Sequence, residues 1–444
     1  MSANPCFTIL ECANAGGFRA LNFPFHLSTL GKPFGMKRIL VSLATFVLIC
    51  SGCVPLQQYR SKPEICHVTG EDLPVDAQCQ IEQTEHYKLG FVELDDQGWL
   101  LKDREQLKFV LENLKQEEAS SRLIIVAFVH GWKHNASSGD ENVKMVRKNL
   151  ELLSRLEFLA SKSEHRSARK VFGVYLGWRG LSSSLNYANN LTFWERKNTA
   201  HEVGRGALAE VFVRLDKIRR ESQELSPEGE KKTRLIIVGH SFGGAATYSA
   251  LAPLLMEQVI FPETAGTRIG IGDLTVLVNP AFEASKFAVL RDAALAETFL
   301  TNQPVRLAVF TSRKDLATKT AFPIGRSIST VFEDYFSPVQ RRADRTAIGH
   351  FARFQSHDLK PSEEGKQTEE EGFPSATAKQ VLQGKAPPKP LSFGGCELIP
   401  RGNVRPGFPI YNIYVDPRII KNHNDIDNPK FIKFLTAFFV HVLD

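Results

Sequence analysis

Leu235-Ile236-Ile237-Val238-Gly239-His240-Ser241-Phe242-Gly243-Gly244 decides how the rest of the chain is read. Four branched apolar residues in a row suit a strand buried on both faces, as in the middle of a parallel sheet. Ala245 and Ala246 follow and open an apolar stretch, 245–257, that reads as a helix. Between the two lies Gly-x-Ser-x-Gly. On such a turn the serine takes a sharp bend that lifts its hydroxyl above the sheet, and the glycines keep neighbouring backbone clear. The hydroxyl also stands at a helix N-terminus, where backbone N–H groups favour developing negative charge. Without its flanks the pattern is common and equally describes a Gly-rich turn with no chemistry. With them, Ser241 is the candidate nucleophile.

Outward from this segment the chain alternates strands and helices. Stretches 87–94, 123–129, 171–176, 274–278, 305–310 and 410–415 read as strands, and Asp95-Asp96-Gln97-Gly98 as a turn. Helical spacing runs over 103–116, 142–159, 192–220 (one long helix) and 429–443. This alternation predicts an α/β protein with a mostly parallel sheet covered on both faces. No internal repeat is visible. Residues 53–86 are polar and loop-like, which predicts a tether; 87–444 then form the domain. Within it, 316–409 reads as an insertion before the last strand. Its centre holds Glu363-Glu364, Glu369-Glu370-Glu371, Pro374, Pro387-Pro388 and Pro390, a composition that buries little apolar surface and predicts mobility.

Composition limits the classes of function. The 444 residues are 43% hydrophobic and 23% charged, an ordinary globular mixture. The net charge is +6, and the first 52 residues, with Arg19, Lys32, Lys37 and Arg38 against Glu11, account for half of it. The remainder has no clustered basic excess, which argues against a nucleic-acid partner. Seven cysteines are too few for a disulfide scaffold in a chain of this length.

The N-terminal region departs from the soluble pattern. Met36-Lys37-Arg38 precedes the apolar run from Ile39 to Cys50, and Ser51-Gly52-Cys53 follows. Cations, a dozen apolar residues and then small residues are the layout of a secretory signal. The run is shorter than the roughly 20 residues of a membrane-spanning helix; a buried core helix is the plainer reading. Ser51-Gly52-Cys53 resembles the lipobox of bacterial lipoproteins, with Cys50 where that pattern usually carries Leu. The resemblance implies lipidation of Cys53, a leader over 1–52, and anchoring in the cell envelope. Val54 after the cysteine implies the outer membrane in a diderm source. Met36 is a second candidate start. Cys66 and Cys79 flank a loop containing Gly and Asp, a spacing compatible with a bridge, and sequence leaves that pairing open.

With the serine turn and the strand order in hand, the chain from about 87 to 443 resembles the α/β-hydrolases, close to bacterial serine-hydrolase lipoproteins and esterase-like members. Ala127-Phe128-Val129-His130-Gly131-Trp132 is similar to the family's His-Gly oxyanion segment. Carried over, the resemblance makes the backbone N–H groups of Trp132 and Phe242 the oxyanion donors, each contributing a few kcal/mol to the transition state. The His130 imidazole itself reads as a loop-fixing core side chain.

In this fold the acid follows the nucleophile and precedes the histidine. Asp315 lies just past a predicted strand end, where open α/β sheets place their sites. A capping aspartate is the plainer alternative, and Glu283, after the preceding strand, is the rival acid. Four histidines follow Ser241. His441 sits on the last helix, and His350 and His357 in the insertion. His423, between the last strand and the last helix, stands where the family keeps its catalytic base. The expected triad is therefore Ser241, Asp315 and His423, with no metal and no cofactor. No HExxH, Walker A or helix-opening GxGxxG is present. Arg179, after the second buried strand, reads as an ion-pair partner or a pocket residue.

Three functions stay open on these residues. The first is a membrane-anchored serine hydrolase acting on a small-molecule or lipid-like carboxylic ester. The second is an acyltransferase on the same triad, with an alcohol in place of water. The third is a non-catalytic binding lipoprotein on the same fold.

Overall fold

The computed structural model describes residues 54–68, 76–181, 186–225, 232–261, 270–300, 303–362, 390–402, 404–405 and 407–443. The leader, the lipidation candidate Cys53 and the acidic, proline-rich centre of the insertion lie outside them.

The run Leu123–Val129 (β4) shows why the middle of the molecule is a sheet with two covered faces. All seven residues are buried. Leu123, Ile125, Ala127 and Val129 pack into one apolar core, Ile124, Val126 and Phe128 into another. That is the period-two alternation of a strand with apolar layers on both sides. Around it are β1 (Lys62–His67), β2 (Cys79–Gln83), β3 (Tyr87–Glu93), β5 (Lys170–Gly177), β6 (Arg234–His240), β7 (Leu274–Val278) and β8 (Leu307–Ser312). Later in the chain come β9 (His357–Pro361), β10 (Leu391–Phe393), β11 (Cys396–Pro400) and β12 (Ile410–Val415). They form one 12-stranded sheet in the order β1-β2-β3-β5-β4-β6-β7-β8-β12-β9-β11-β10. From β3 through to β9 every pairing is parallel; β2–β3, β9–β11 and β11–β10 are antiparallel.

Helices cover both faces. On the first lie α1 (Glu105–Ser120), α3 (Asn186–Arg205), α4 (Ala207–Leu225), α5 (Phe242–Ile260) and α6 (Ala284–Ala296); on the second lie α2 (Glu141–Ser163) and α9 (Pro429–Leu443). Between β8 and β9 run a π-turn at Ala317–Ala321, α7 (Phe322–Ser329) and α8 (Pro338–Arg345). The α/β architecture expected from the alternating pattern is therefore present.

Two expectations need correction. The long helix over 192–220 is two helices, broken at Gly206. A Cβ there would lie 2.5 Å from the Gly98 carbonyl oxygen. That same oxygen accepts the Ala207 N–H at 2.7 Å, so the 95–98 turn wedges into the break and caps α4.

Residues 54–85 are not a loop-like tether throughout, because β1 and β2 extend the sheet. Arg60, fully buried, pairs with Glu82 at 2.9 Å and donates to the Ala136 carbonyl at 2.8 Å. Arg147 of α2 meets the same Glu82 at 2.7 Å. Cys66 and Cys79 are disulfide-bonded, with Cα atoms 5.9 Å apart.

The insertion at 316–409 contributes to the sheet. Its later part supplies β9, β10 and β11, which lengthen the sheet beyond β12.

Candidate active site

The parallel strands deliver their carboxyl ends to one edge, and each candidate residue sits just past such an end. Ser241 follows β6 and precedes α5 with φ 55° and ψ −120°, a conformation costly for any side-chain-bearing residue. Hydrogen bonds hold it there. Its N–H donates to the Val278 carbonyl at 3.0 Å, and its own carbonyl accepts from Ala245 and Ala281. The glycines act as the motif requires. A Cβ on Gly243 would lie 2.2 Å from the Val129 carbonyl oxygen, and one on Gly239 2.6 Å from Thr247 Oγ1.

Three side chains from separate elements then meet. Ser241 Oγ lies 2.6 Å from His423 Nε2, and His423 Nδ1 lies 2.8 Å from Asp315 Oδ2. An acceptor carboxylate on Nδ1 fixes the proton there, leaving Nε2 to accept from the serine hydroxyl. Asp315 is fully buried. Burial pushes its carboxyl up, but His423 and the Thr318 hydroxyl and N–H more than offset this and hold it below the usual carboxylate range.

The His423 loop is anchored at its carbonyl. Asn279 Nδ2 donates to it at 2.9 Å and His240 Nε2 at 3.0 Å. Asn279 also accepts the Ser312 N–H at 2.9 Å, linking the ends of β7 and β8. Its φ of 46° is one that Asn tolerates better than most residues. Burial first, then His423, lowers His240 to about 3, so it is a neutral Nε2–H donor.

The 130–132 backbone lies directly against the nucleophile. A Cβ on Gly131 would sit 2.9 Å from Ser241 Cβ. Trp132 follows, its ring centroid 6.5 Å from that of Phe242, the first residue of α5. The His130 imidazole is fully buried and stacked on Trp178. Its Nδ1 donates to the Gly131 carbonyl and its Nε2 accepts the Trp178 N–H, so it fixes this loop as a neutral ring. Burial lowers it to about 4.

The rivals lie in other networks. Glu283 is buried among Lys197, Lys286 and Arg326. Burial pushes its carboxyl up, and these cations outweigh it, leaving it at about 2. His350 contacts Thr318 Oγ1 at 3.0 Å, one residue removed from the acid. His357 lies on β9 beside Ser356. His441 belongs to α9, and its side chain is outside the described residues. Arg179 and Arg196 share Asp96, and Arg179 Nη1 donates to the Val54 carbonyl at 2.7 Å, an ion-pair role.

Sequence reasoning gave no role to Asn279, Thr318 or His240. The signal for Asn279 was an Asn-Pro step just past a buried strand; Thr318 stands three residues after Asp315, a spacing with no signature of its own, and His240 carries none because its partner, the His423 carbonyl, comes from a remote loop. Among the described residues, no group of three or more His, Cys, Asp or Glu side chains is arranged to hold a metal ion. No family model and no curated protein matches the chain.

Proposed function

We propose that this chain is a serine hydrolase with the α/β-hydrolase fold, anchored to a membrane through Cys53, that cleaves a carboxylic ester. One observation carries the reading: an unbroken hydrogen-bonded series from the Ser241 hydroxyl through His423 to buried Asp315. On it, His423 takes the hydroxyl proton as Ser241 Oγ attacks the ester carbonyl. Asp315 holds the ring in its Nδ1–H tautomer and stabilises the imidazolium. Negative charge grows on the carbonyl oxygen, to be met by the Trp132 and Phe242 N–H groups. The imidazolium then protonates the leaving alkoxide, and an acyl-serine remains. Water, deprotonated by the same imidazole, attacks the acyl carbon; the serine takes its proton back and the acid departs.

The strained backbone at Ser241 supports the reading, since such conformations persist where the surroundings enforce them and cluster at active sites. The test is hydrolysis of short-chain p-nitrophenyl esters. Wild type is expected to turn over, and Ser241→Ala to lose about three orders of magnitude or more in kcat. Equal rates for the two proteins overturn the reading.

A further inference from the structure

Single exposed apolar residues are normal on a soluble surface. The segment that leaves Asp315 is different. Leu316, Ile324, Ile328, Val331, Phe332 and Phe336 are all exposed, and the two phenylalanines are 99% and 101% accessible, as bare as in an isolated peptide. Ile324 and Ile328 stand one turn apart on α7, and Val331 and Phe332 continue from its end. Gly325 and Phe322 do not share this outward face: Gly325 is buried, where a Cβ would overlap the Trp194 ring, and Phe322 is fully buried. The helix is thus seated by one side while its other side presents apolar surface outward.

Cations outnumber anions around this surface: Lys314, Lys319, Arg341 and Arg342 are exposed, against exposed Glu333 and Asp334 between the two phenylalanines. Arg341, Arg342 and Arg345 line an open cleft of about 710 Å³ next to Phe336, with Glu333 and Asp334 also on its wall. Apolar residues rimmed by cations match a bilayer carrying anionic headgroups.

The Val54 carbonyl is pinned by Arg179, just past the carboxyl end of β5. Cys53 is the next residue toward the N-terminus. Arg326 of the apolar segment pairs with Glu283, just past the carboxyl end of β7. Val54 therefore lies at the same edge of the sheet that bears the apolar segment and Ser241.

We infer that the 316–342 segment is a membrane-insertion face, its aliphatic and aromatic side chains entering the acyl region while Arg341 and Arg342 meet anionic headgroups. It turns the Ser241 edge toward the bilayer, which makes a bilayer-resident ester the substrate class. The inference deepens the anchored-hydrolase reading and rests on it. A soluble protein partner or a second copy of the chain is the competing occupant.

The test uses the full chain reconstituted in vesicles of equimolar phosphatidylglycerol and phosphatidylcholine, the latter with brominated acyl chains. Phe332→Trp and Phe336→Trp place an indole on the face; Phe158→Trp places one near the far end of α2, at the opposite edge. Each is made in Ser241→Ala, so the result does not depend on turnover. The expected result is quenching of about twofold or more for the added indole at 332 and 336, the response of a face lying ~5–10 Å into the interface. The indole at 158 stays unquenched, and Arg341→Glu with Arg342→Glu abolishes the difference. An indole at 332 and 336 that stays unquenched on vesicle-bound protein overturns the inference. So does self-association lost on Phe332→Asp, which assigns the face to a second copy. Esterase activity on soluble substrates, measured separately, shows whether the catalytic reading survives such a result.

Discussion

Asp315 is where the balance of local forces bears most directly on chemistry. Burial alone raises a carboxyl, yet His423 and Thr318 keep this one ionised. Thr318→Val removes the hydroxyl and leaves the N–H. The Asp315 anion then keeps only one of its two Thr318 donors. A fall in kcat of about tenfold is expected, the order of a hydrogen bond to a charged group, with KM little changed. An unchanged kcat contradicts that role. Asn279→Ala tests the anchoring of the His423 loop. It leaves the buried Ser312 N–H unpaired and removes one of the two donors to the His423 carbonyl. A loss of about 1–3 kcal/mol in chemical denaturation is expected, with a fall in kcat larger than any change in KM. The residues that carry the proposed chemistry were legible because each follows a strand end, a local pattern. Thr318 was not, because a threonine three residues after an aspartate is too common a spacing to single out, and the role of Asn279 depends on the His423 loop that only the fold brings to it.

At the scale of elements, the buried strands around Ser241 could be read because their apolar runs are continuous and their packing is not subtle. The edges could not. β1 is largely exposed, and β2 buries Glu82 beside apolar Ile81 only because Arg60 and Arg147 close on that carboxylate, so neither strand carries a continuous apolar run. The break between α3 and α4 was hidden for another reason. Helical spacing continues through Gly206, and only the close approach of Gly98 shows why the helix stops. Gly206→Ala is accordingly expected to cost about 1–3 kcal/mol, as overpacking does. A helix-stabilising effect of the same substitution contradicts the wedge. The Cys66–Cys79 bridge closes a loop with a sequence separation of 13. Opening it with Cys66→Ser and Cys79→Ser together is expected to cost about 3 kcal/mol, by the loop-entropy relation, read as a lowered Tm with activity retained below it.

The whole molecule shares a pH liability. Burial holds His130 at about 4 and His201, His240 and His357 at about 3. The folded state keeps these rings neutral, whereas the unfolded chain protonates them below about 6.5. The unfolded state then binds more protons, so stability falls as pH drops from about 6.5 toward 3–4. The slope is up to ~1.4 kcal/mol per pH unit for each ring. Asp315, depressed in the folded state, adds loss only further into acid, as pH falls through its folded pKa. Denaturant midpoints across pH 4–7 check this; a flat profile contradicts it.

The account rests on Ser241 being a nucleophile activated by His423. Labelling with a fluorophosphonate probe, followed by intact mass and peptide mapping, tests this most directly. The account predicts one adduct on Ser241 in the wild type, a much slower reaction in His423→Ala, and none in Ser241→Ala. Absence of an adduct in the wild type, or equal labelling of all three proteins, contradicts it.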